Sequence, residues 1–188
     1  MRVWSYVITT DRGSAPNYDG PNVTLAICKP RIRRRAEIGD VVIAFNGRTL
    51  SRERNSVRWC GIVSDVRSFG EYWHDERFVG KRPGASLTPD NIYCEDGAGL
   101  TQVTNTSHDA SDVDRDLSGL NVLEFSDVWH LGNSHEPLDD AFSALFVGGA
   151  RRHEPLNDIS TKDWRSLRLW LQHRKQPLPA RKSLRRRC

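Results

Sequence analysis

Two short stretches of this sequence place a histidine beside carboxylates. His74 is followed directly by Asp75, and His108 lies beside Asp109 in the polar segment 105–112. An imidazole oriented by a carboxylate can donate or accept a proton near neutral pH, as general acid–base catalysis requires. The same residues would also be ordinary on a polar surface or in a solvated turn. Both stretches are candidate catalytic positions, and the sequence leaves the alternative open.

A basic segment lies between residues 29 and 58, where nine Arg or Lys residues stand against three acidic ones. Its densest part is residues 29–35. The planar fork of arginine suits phosphate groups and base edges. We therefore predict that the phosphates of a nucleic acid are contacted by four residues of this part: Lys29, Arg31, Arg33 and Arg34.

Aromatic residues near the basic segment could stack on an exposed base. Stacking on an extruded or single-stranded base needs an aromatic face, and a neighbouring cation strengthens it. The candidates for this role are Tyr6, Tyr72 and Trp73. The alternative is that these rings fill the hydrophobic core, as most Trp and Tyr side chains do in a chain of this size.

The remaining charge is distributed unevenly, so the formal net charge of +4 says little about partners. Residues 86–128 carry nine acidic residues against one arginine, and residues 174–188 carry seven basic residues and no acidic one. The acidic segment should repel phosphate but could dock a basic partner protein. Specific contact with a nucleic acid is therefore expected at residues 29–35.

Cysteine spacing indicates no metal site. Cys28, Cys60, Cys94 and Cys188 are each more than 30 residues apart, and the chain has no Cys-x-x-Cys pair. A structural zinc site is not expected from this spacing. Walker A and Gly-x-Ser-x-Gly motifs are also missing. We predict no metal and no cofactor.

The sequence also indicates a compartment. The N-terminus lacks the pattern of a secretory signal, and no apolar run approaches the roughly 20 residues of a membrane span. We therefore expect reduced thiols in a cytoplasmic protein that has no membrane partner.

The first two thirds of the chain contain strand-like runs rich in β-branched and aromatic residues. These runs predict strands at residues 2–9, 23–28, 40–46, 57–68 and 122–129. Residues 69–78 are predicted to form a short helix or an ordered loop. Residues 81–118 are dominated by turn-forming residues, which predicts mainly loop.

Helical periodicity begins in the last third of the chain. Residues 139–147 predict a short helix, and Ser160 with Asp163 forms the capping pattern of a second one. Trp164, Leu167, Trp170 and Leu171 fall on one face of that helix, which Pro177 must end. Strands followed by helices indicate the α+β class.

Several short motifs follow one another in an order that is typical of a known group of families. They are Ser5-Tyr6-Val7, Asp11-Arg-Gly13-x-Ala15-Pro16-Asn17, Thr24 to Arg33, Gly39-Asp40, Phe69 to Phe78, Lys81-Arg-Pro83, Asp90 to Tyr93, and His108. In this order, residues 3–150 resemble the nucleotide-modification-associated domain families of bacteria and phages. The resemblance implies a role in DNA-base modification. If the chain is an enzyme, it implies acid–base roles for Asp11, His74, Asp75 and His108.

A second resemblance concerns the fold. The run from Ile38-Gly39-Asp40 through the strand that contains Gly61 to Val66 is similar to PUA-like barrels, including EVE, ASCH and YTH modules. It implies an α+β fold with a small PUA-like β-barrel, flanking helices and a C-terminal helix. We accordingly predict a PUA-like domain at residues 1–150, a helical extension at 151–176 and a flexible basic tail at 177–188.

The leading functional hypothesis is recognition of a modified or extruded nucleobase in DNA within a modification or restriction-type system. One alternative is an enzyme that acts on a base or nucleotide through the His and Asp residues named above. Another is an interaction subunit whose acidic segment docks a partner enzyme. The expected partners are a nucleic acid, with DNA favoured, or a modified nucleotide. The residues indicate no oligomeric state.

Overall fold

A computed structural model describes residues 1–53, 55–132, 136–145, 155–156 and 159–179 of the chain. Its strands are β1 (Val3–Ile8), β2 (Val23–Leu25), β3 (Val41–Asn46), β4 (Val57–Ser68), β5 (Tyr93–Asp96), β6 (Gly99–Gln102), β7 (Asn121–His130) and β8 (Pro155–Leu156). Its α-helices are α1 (Pro30–Arg35), α2 (Phe69–His74), α3 (Val113–Leu117) and α4 (Thr161–Arg174). Short 3₁₀ helices lie at Glu76–Lys81, Ala110–Asp112 and Asp140–Leu145.

The α+β class is confirmed, and the predicted elements need additions. The segment 81–118 is mainly loop, as predicted, but it also contains the β5–β6 hairpin and α3, whose residues Tyr93, Val113 and Leu117 pack against a hydrophobic cluster. The short helix predicted at residues 139–147 is a 3₁₀ helix at Asp140–Leu145, and residues 146–147 lie outside the described part.

The main sheet has the strand order β2-β7-β4-β3-β1-β8, and β5 and β6 form a separate hairpin. β1 pairs with β3 in parallel, and β3 pairs with β4 in antiparallel orientation. The sheet is open, because its two terminal strands, β2 and β8, are not neighbours. No closed barrel is therefore found among the described residues, and the predicted PUA-like barrel is not confirmed.

The chain divides into two compact units. The first comprises Met1–Asp11, Ala36–Ser64 and Ser126–Leu178, and the second comprises Arg12–Arg35, Asp65–Phe125 and the residues from Pro179 onward. The predicted boundaries at residues 150 and 176 remain a prediction. Residues 180–188 of the predicted basic tail lie outside the described part of the chain.

In the first unit, α4 packs on the sheet as its sequence pattern predicts. The Oγ atom of Ser160 accepts a hydrogen bond from the N–H of Asp163 at 3.1 Å and so caps the helix. Leu167 and Leu171 are fully buried against Val3, Ile43 and other residues of one core cluster. No described helix is long and apolar enough to cross a membrane.

In the second unit, an apolar cluster built from Ile27, Phe69, Phe78, Ile92 and their neighbours lies beside a buried polar cluster. The polar cluster is centred on the ammonium group of Lys81, which donates to the Oγ1 atom of Thr24 at 2.8 Å and to the carbonyl oxygens of Asn17 and Asn22.

The carboxylate of Asp90 completes this polar cluster. It accepts hydrogen bonds from Thr24 at 2.7 Å and from the Tyr72 hydroxyl at 2.8 Å. Burial lowers the pKa of Lys81 to about 8, although the carboxylates of Asp90 and Asp19 oppose the shift. These contacts fix β2 and the chain on both sides of it, and β2 leads directly to the site described next.

Candidate active site at Cys28, His108 and Asp116

Cys28 lies at a sharp turn between β2 and α1. Its φ is 58° and that of Lys29 is 46°, and both residues therefore have the left-handed conformation that L-residues rarely adopt. Such a conformation costs about 1–2 kcal/mol for each residue and has to be held by the surrounding structure. The turn shortens the strand that was predicted at residues 23–28. It leaves the Cys28 side chain half-buried.

His108 reaches Cys28 from a loop that is fixed by its own hydrogen bonds. The Oδ1 atom of Asn105 accepts from the N–H groups of Ser107 and His108 at 2.8 and 2.9 Å, and the Ser107 hydroxyl donates to the carbonyl of Pro89. The Nε2 atom of His108 then lies 3.3 Å from the Sγ atom of Cys28. A thiol and an imidazole are therefore in direct contact.

Asp116 on α3 holds the other side of the imidazole. Its Oδ2 atom lies 2.5 Å from Nδ1 of His108 and accepts from the Tyr93 hydroxyl at 3.1 Å. Its Oδ1 atom accepts from the Cys28 N–H at 3.0 Å. Burial raises the pKa of this carboxyl group, but the hydrogen bonds from His108 and Cys28 outweigh burial and lower it. Asp116 is therefore a buried carboxylate that orients the imidazole.

The electrostatic consequence is a charged imidazole next to a thiol. Burial alone would lower the pKa of His108, but its hydrogen bonds with Asp116 and Cys28 raise the pKa to about 9. His108 is thus an imidazolium at neutral pH. A nucleophile, a neighbouring proton-transfer group and a third group that orients it form the arrangement used in covalent catalysis. Among the described residues, no group of three or more His, Cys, Asp or Glu side chains is placed to hold a metal ion.

The other predicted catalytic residues have different surroundings. Asp11 forms an ion pair with Arg58 in the first unit. Asp75 caps the following 3₁₀ helix and pairs with Arg77 at 2.6 Å, and the pKa of Asp75 is lowered chiefly by that contact. His74 is exposed, with Nε2 3.3 Å from the carbonyl of Glu95. The catalytic roles predicted for these three residues stay predictions, whereas His108 contacts both a thiol and a carboxylate.

The predicted phosphate contacts divide into exposed and buried residues. Arg31 and Arg34 are exposed on α1, and Lys29 is half-buried, with a pKa lowered mainly by burial. Arg33 is fully buried, and within the described part of the chain its guanidinium donates to three main-chain carbonyls. The phosphate contact predicted for Arg33 stays a prediction, although the guanidinium is enclosed in this conformation.

The predicted stacking residues are mostly core residues. Tyr6 is buried and accepts a hydrogen bond from the Trp59 indole at 3.0 Å, and Tyr72 is buried against Asp90. Neither ring offers a face to a base in this conformation. Trp73 is half-buried, and the guanidinium of Arg82 lies 4.4 Å from the centre of its ring.

Sequence reasoning missed Cys28 and Asp116 as candidates. The spacing of the cysteines bears on zinc binding, whereas a nucleophile needs no second cysteine. The sequence nevertheless contains a usable signal. Cys28 ends a predicted strand and is followed directly by Lys29 and Pro30, and both Cys28 and His108 belong to the ordered series of family motifs. Asp116 had no comparable signal, because it is one of nine acidic residues in its segment.

Comparison with protein families agrees with the order of the motifs. The family model described as nucleotide modification associated domain 2 matches residues 1–181. The chain belongs to this family. The family match includes α4 and extends beyond residue 150, where the resemblance seen in the sequence ended. A role in a nucleotide-modification system follows from membership of the family. No curated protein and no solved structure matches the chain.

Proposed function

We propose that this family member is a cysteine-dependent enzyme of a nucleotide-modification system, with Cys28 as nucleophile. The single observation that carries the proposal is the contact of His108 with the Cys28 thiol at 3.3 Å on one side and the Asp116 carboxylate at 2.5 Å on the other. The imidazole is placed to exchange a proton with the reacting groups while the sulfur attacks. The left-handed turn at Cys28 is the kind of backbone strain that accumulates at functional sites.

The reaction class that this arrangement supports is acyl transfer. The thiolate of Cys28 attacks a carbonyl carbon, and the imidazolium of His108 gives its proton to the departing amine or alcohol. The neutral His108 then takes a proton from water or from an acceptor group, which attacks the thioester and releases Cys28. Asp116 keeps Nδ1 protonated and the ring aligned throughout. The substrate would be a nucleotide, or a base in nucleic acid, on which an acyl or amide group is added or removed.

The basic face of α1 supports a phosphate-bearing substrate. Arg31 and Arg34 are exposed on this helix, which begins two residues after Cys28. Arginine side chains at such a position can hold a phosphate while the base approaches the thiol. This assignment retains the exposed part of the predicted basic site and leaves out Arg33.

The proposal is tested by reaction with an acyl donor that does not depend on knowing the substrate. We expect p-nitrophenyl acetate to release a burst of p-nitrophenolate and to leave an acetyl thioester on Cys28, identified by peptide mass spectrometry. Cys28→Ser and His108→Ala should abolish the burst. Cys94→Ser and His74→Ala are the matched controls, because both side chains are partly or fully exposed and lie outside the constellation. A burst that survives in Cys28→Ser would overturn the proposal.

Recognition of a nucleobase in DNA without turnover is the second candidate. The exposed Arg31 and Arg34, together with the half-buried Trp73, favour it. Each phosphate contact on duplex DNA makes the slope of log K against log salt steeper by about 0.9. Arg31→Ala/Arg34→Ala should therefore make the slope shallower by about 1.8, and Arg165→Ala on α4 serves as the exposed control. An unchanged slope would exclude these two residues as phosphate contacts.

A further inference from the structure

Arg33 is a charged side chain that the proposed reaction does not use, although it is fully buried beside the site. Its Cζ atom lies over the Phe69 ring, 5.4 Å from the ring centre. Burial lowers its pKa to about 10, although the carboxylate of Asp116 opposes the shift. Enclosing a charge in this way costs several kcal/mol unless the protein supplies hydrogen bonds in return. The groups that accept hydrogen bonds from the Arg33 guanidinium therefore indicate the role of this residue.

The guanidinium joins the two chain segments that carry the nucleophile and the orienting carboxylate. Its Nε atom donates to the carbonyl oxygen of Cys28 at 2.7 Å, and Nη2 donates to the carbonyl oxygen of Asp116 at 2.5 Å. Its Nη1 atom donates to the carbonyl oxygen of Asn121, the first residue of β7, at 2.7 Å. These segments are more than 80 residues apart in the chain, so no local structure holds them together.

The chain packs closely around this guanidinium. A Cβ atom placed on Gly119 would lie 2.4 Å from the Cζ and Nη2 atoms of Arg33. Gly119 is therefore required by close approach, since any other side chain would displace the guanidinium. The rigid fork of arginine matches three carbonyl groups at fixed angles, whereas lysine offers a single ammonium group.

We propose that Arg33 is a positioning residue of the Cys28 site, an inference that rests on the proposed role of Cys28 as nucleophile. By holding the carbonyls of Cys28 and Asp116 on one planar group, it sets the distance between the thiol and the carboxylate that lie on either side of His108. It also supports the left-handed conformation of Cys28 from the carbonyl side. Arg33 touches no reacting atom.

The test measures alkylation of Cys28 by iodoacetamide in the full chain, with Cys94 as internal reference. In the native chain we expect Cys28 to react faster than Cys94, and His108→Ala to remove the difference. Gly119→Ala and Arg33→Lys should each slow the reaction of Cys28 roughly tenfold or more, because a small displacement of a reacting group has effects of this size. Gly97→Ala is the matched control, because a Cβ on Gly97 would meet no atom within 4 Å.

Chemical rescue separates positioning from folding. Arg33→Ala leaves a space with the shape of guanidinium, so millimolar guanidinium chloride should restore alkylation of Cys28, whereas the same concentration of ammonium chloride should not. Circular dichroism identifies the variants that are folded. Native rates in folded Gly119→Ala and Arg33→Lys would overturn the positioning role and leave Cys28 as the nucleophile. A native Cys28 that reacts no faster than Cys94 would overturn both proposals.

Discussion

The imidazole of His108 bridges the thiol of Cys28, 80 residues earlier in the chain, and the carboxylate of Asp116 on α3. The backbone N–H of Cys28 also donates to Asp116, so Cys28 and the carboxylate are connected twice. This closed arrangement explains why His108 carries a proton at neutral pH.

Removing the charge of Asp116 should change the titration of His108. In Asp116→Asn, burial persists and the contact with Cys28 alone opposes it, so we expect the pKa of His108 to fall from about 9 toward the ordinary value of about 6.5. NMR titration of the imidazole carbon-bound protons measures this change. Asp112→Asn is the control, because the Oδ2 atom of Asp112 lies 3.9 Å from Nδ1 of His108. An equal fall in both variants would contradict the specific role of Asp116.

The stability of the chain should depend on pH through His108. Its pKa is raised in the folded state, so its contribution is fully present below about 6.5 and is lost as pH rises through about 9. The difference corresponds to at most about 3 kcal/mol of the free energy of unfolding. Urea unfolding at several pH values, compared between the native chain and His108→Asn, isolates this contribution. Parallel pH profiles for the two proteins would show that the folded state does not raise the pKa of His108.

Lys81 should be more important for stability than any exposed lysine. Replacing it with Met removes the cation whose charge stabilises the buried carboxylate of Asp90, and an uncompensated buried charge costs about 3–5 kcal/mol. Adding Asp90→Asn to Lys81→Met should recover part of that loss. Thermal or urea unfolding measures both, with exposed Lys162→Met as control. A loss of less than about 1 kcal/mol in the free energy of unfolding of Lys81→Met would show that the charge of Lys81 contributes little to stability.

Helix α4 should contribute to the core of the first unit. Leu167 is fully buried, whereas Leu169 is 57% exposed. Leu167→Ala should lower the free energy of unfolding by about 2–5 kcal/mol through lost burial and a residual cavity. Leu169→Ala should change it by less than about 0.5 kcal/mol. Similar values for the two variants in urea unfolding would contradict the packing of this helix.

Local patterns in the sequence predicted much of the fold. The run at residues 57–68 forms a strand with the predicted bounds. Ser160 caps the start of α4, as the capping pattern in the sequence indicates. The order of short motifs identified the family, and it included His108. These features depend on residues close in sequence, where periodicity, capping and composition act directly.

Tertiary structure alone decided which of these residues are buried and which are exposed. Arg33 and Arg34 are neighbours of the same type, yet one is buried among carbonyls and the other is exposed, because α1 turns only one of them toward the interior. Tyr72 and Trp73 are also neighbours, and Tyr72 is buried whereas Trp73 is half-buried. Cys28, His108 and Asp116 meet only because β2, the polar loop and α3 are brought together, and contacts over such separations depend on the topology of the chain. The sequence by itself determined the family and most of the strands and helices, whereas only the packing of those elements brought a thiol, an imidazole and a carboxylate into contact.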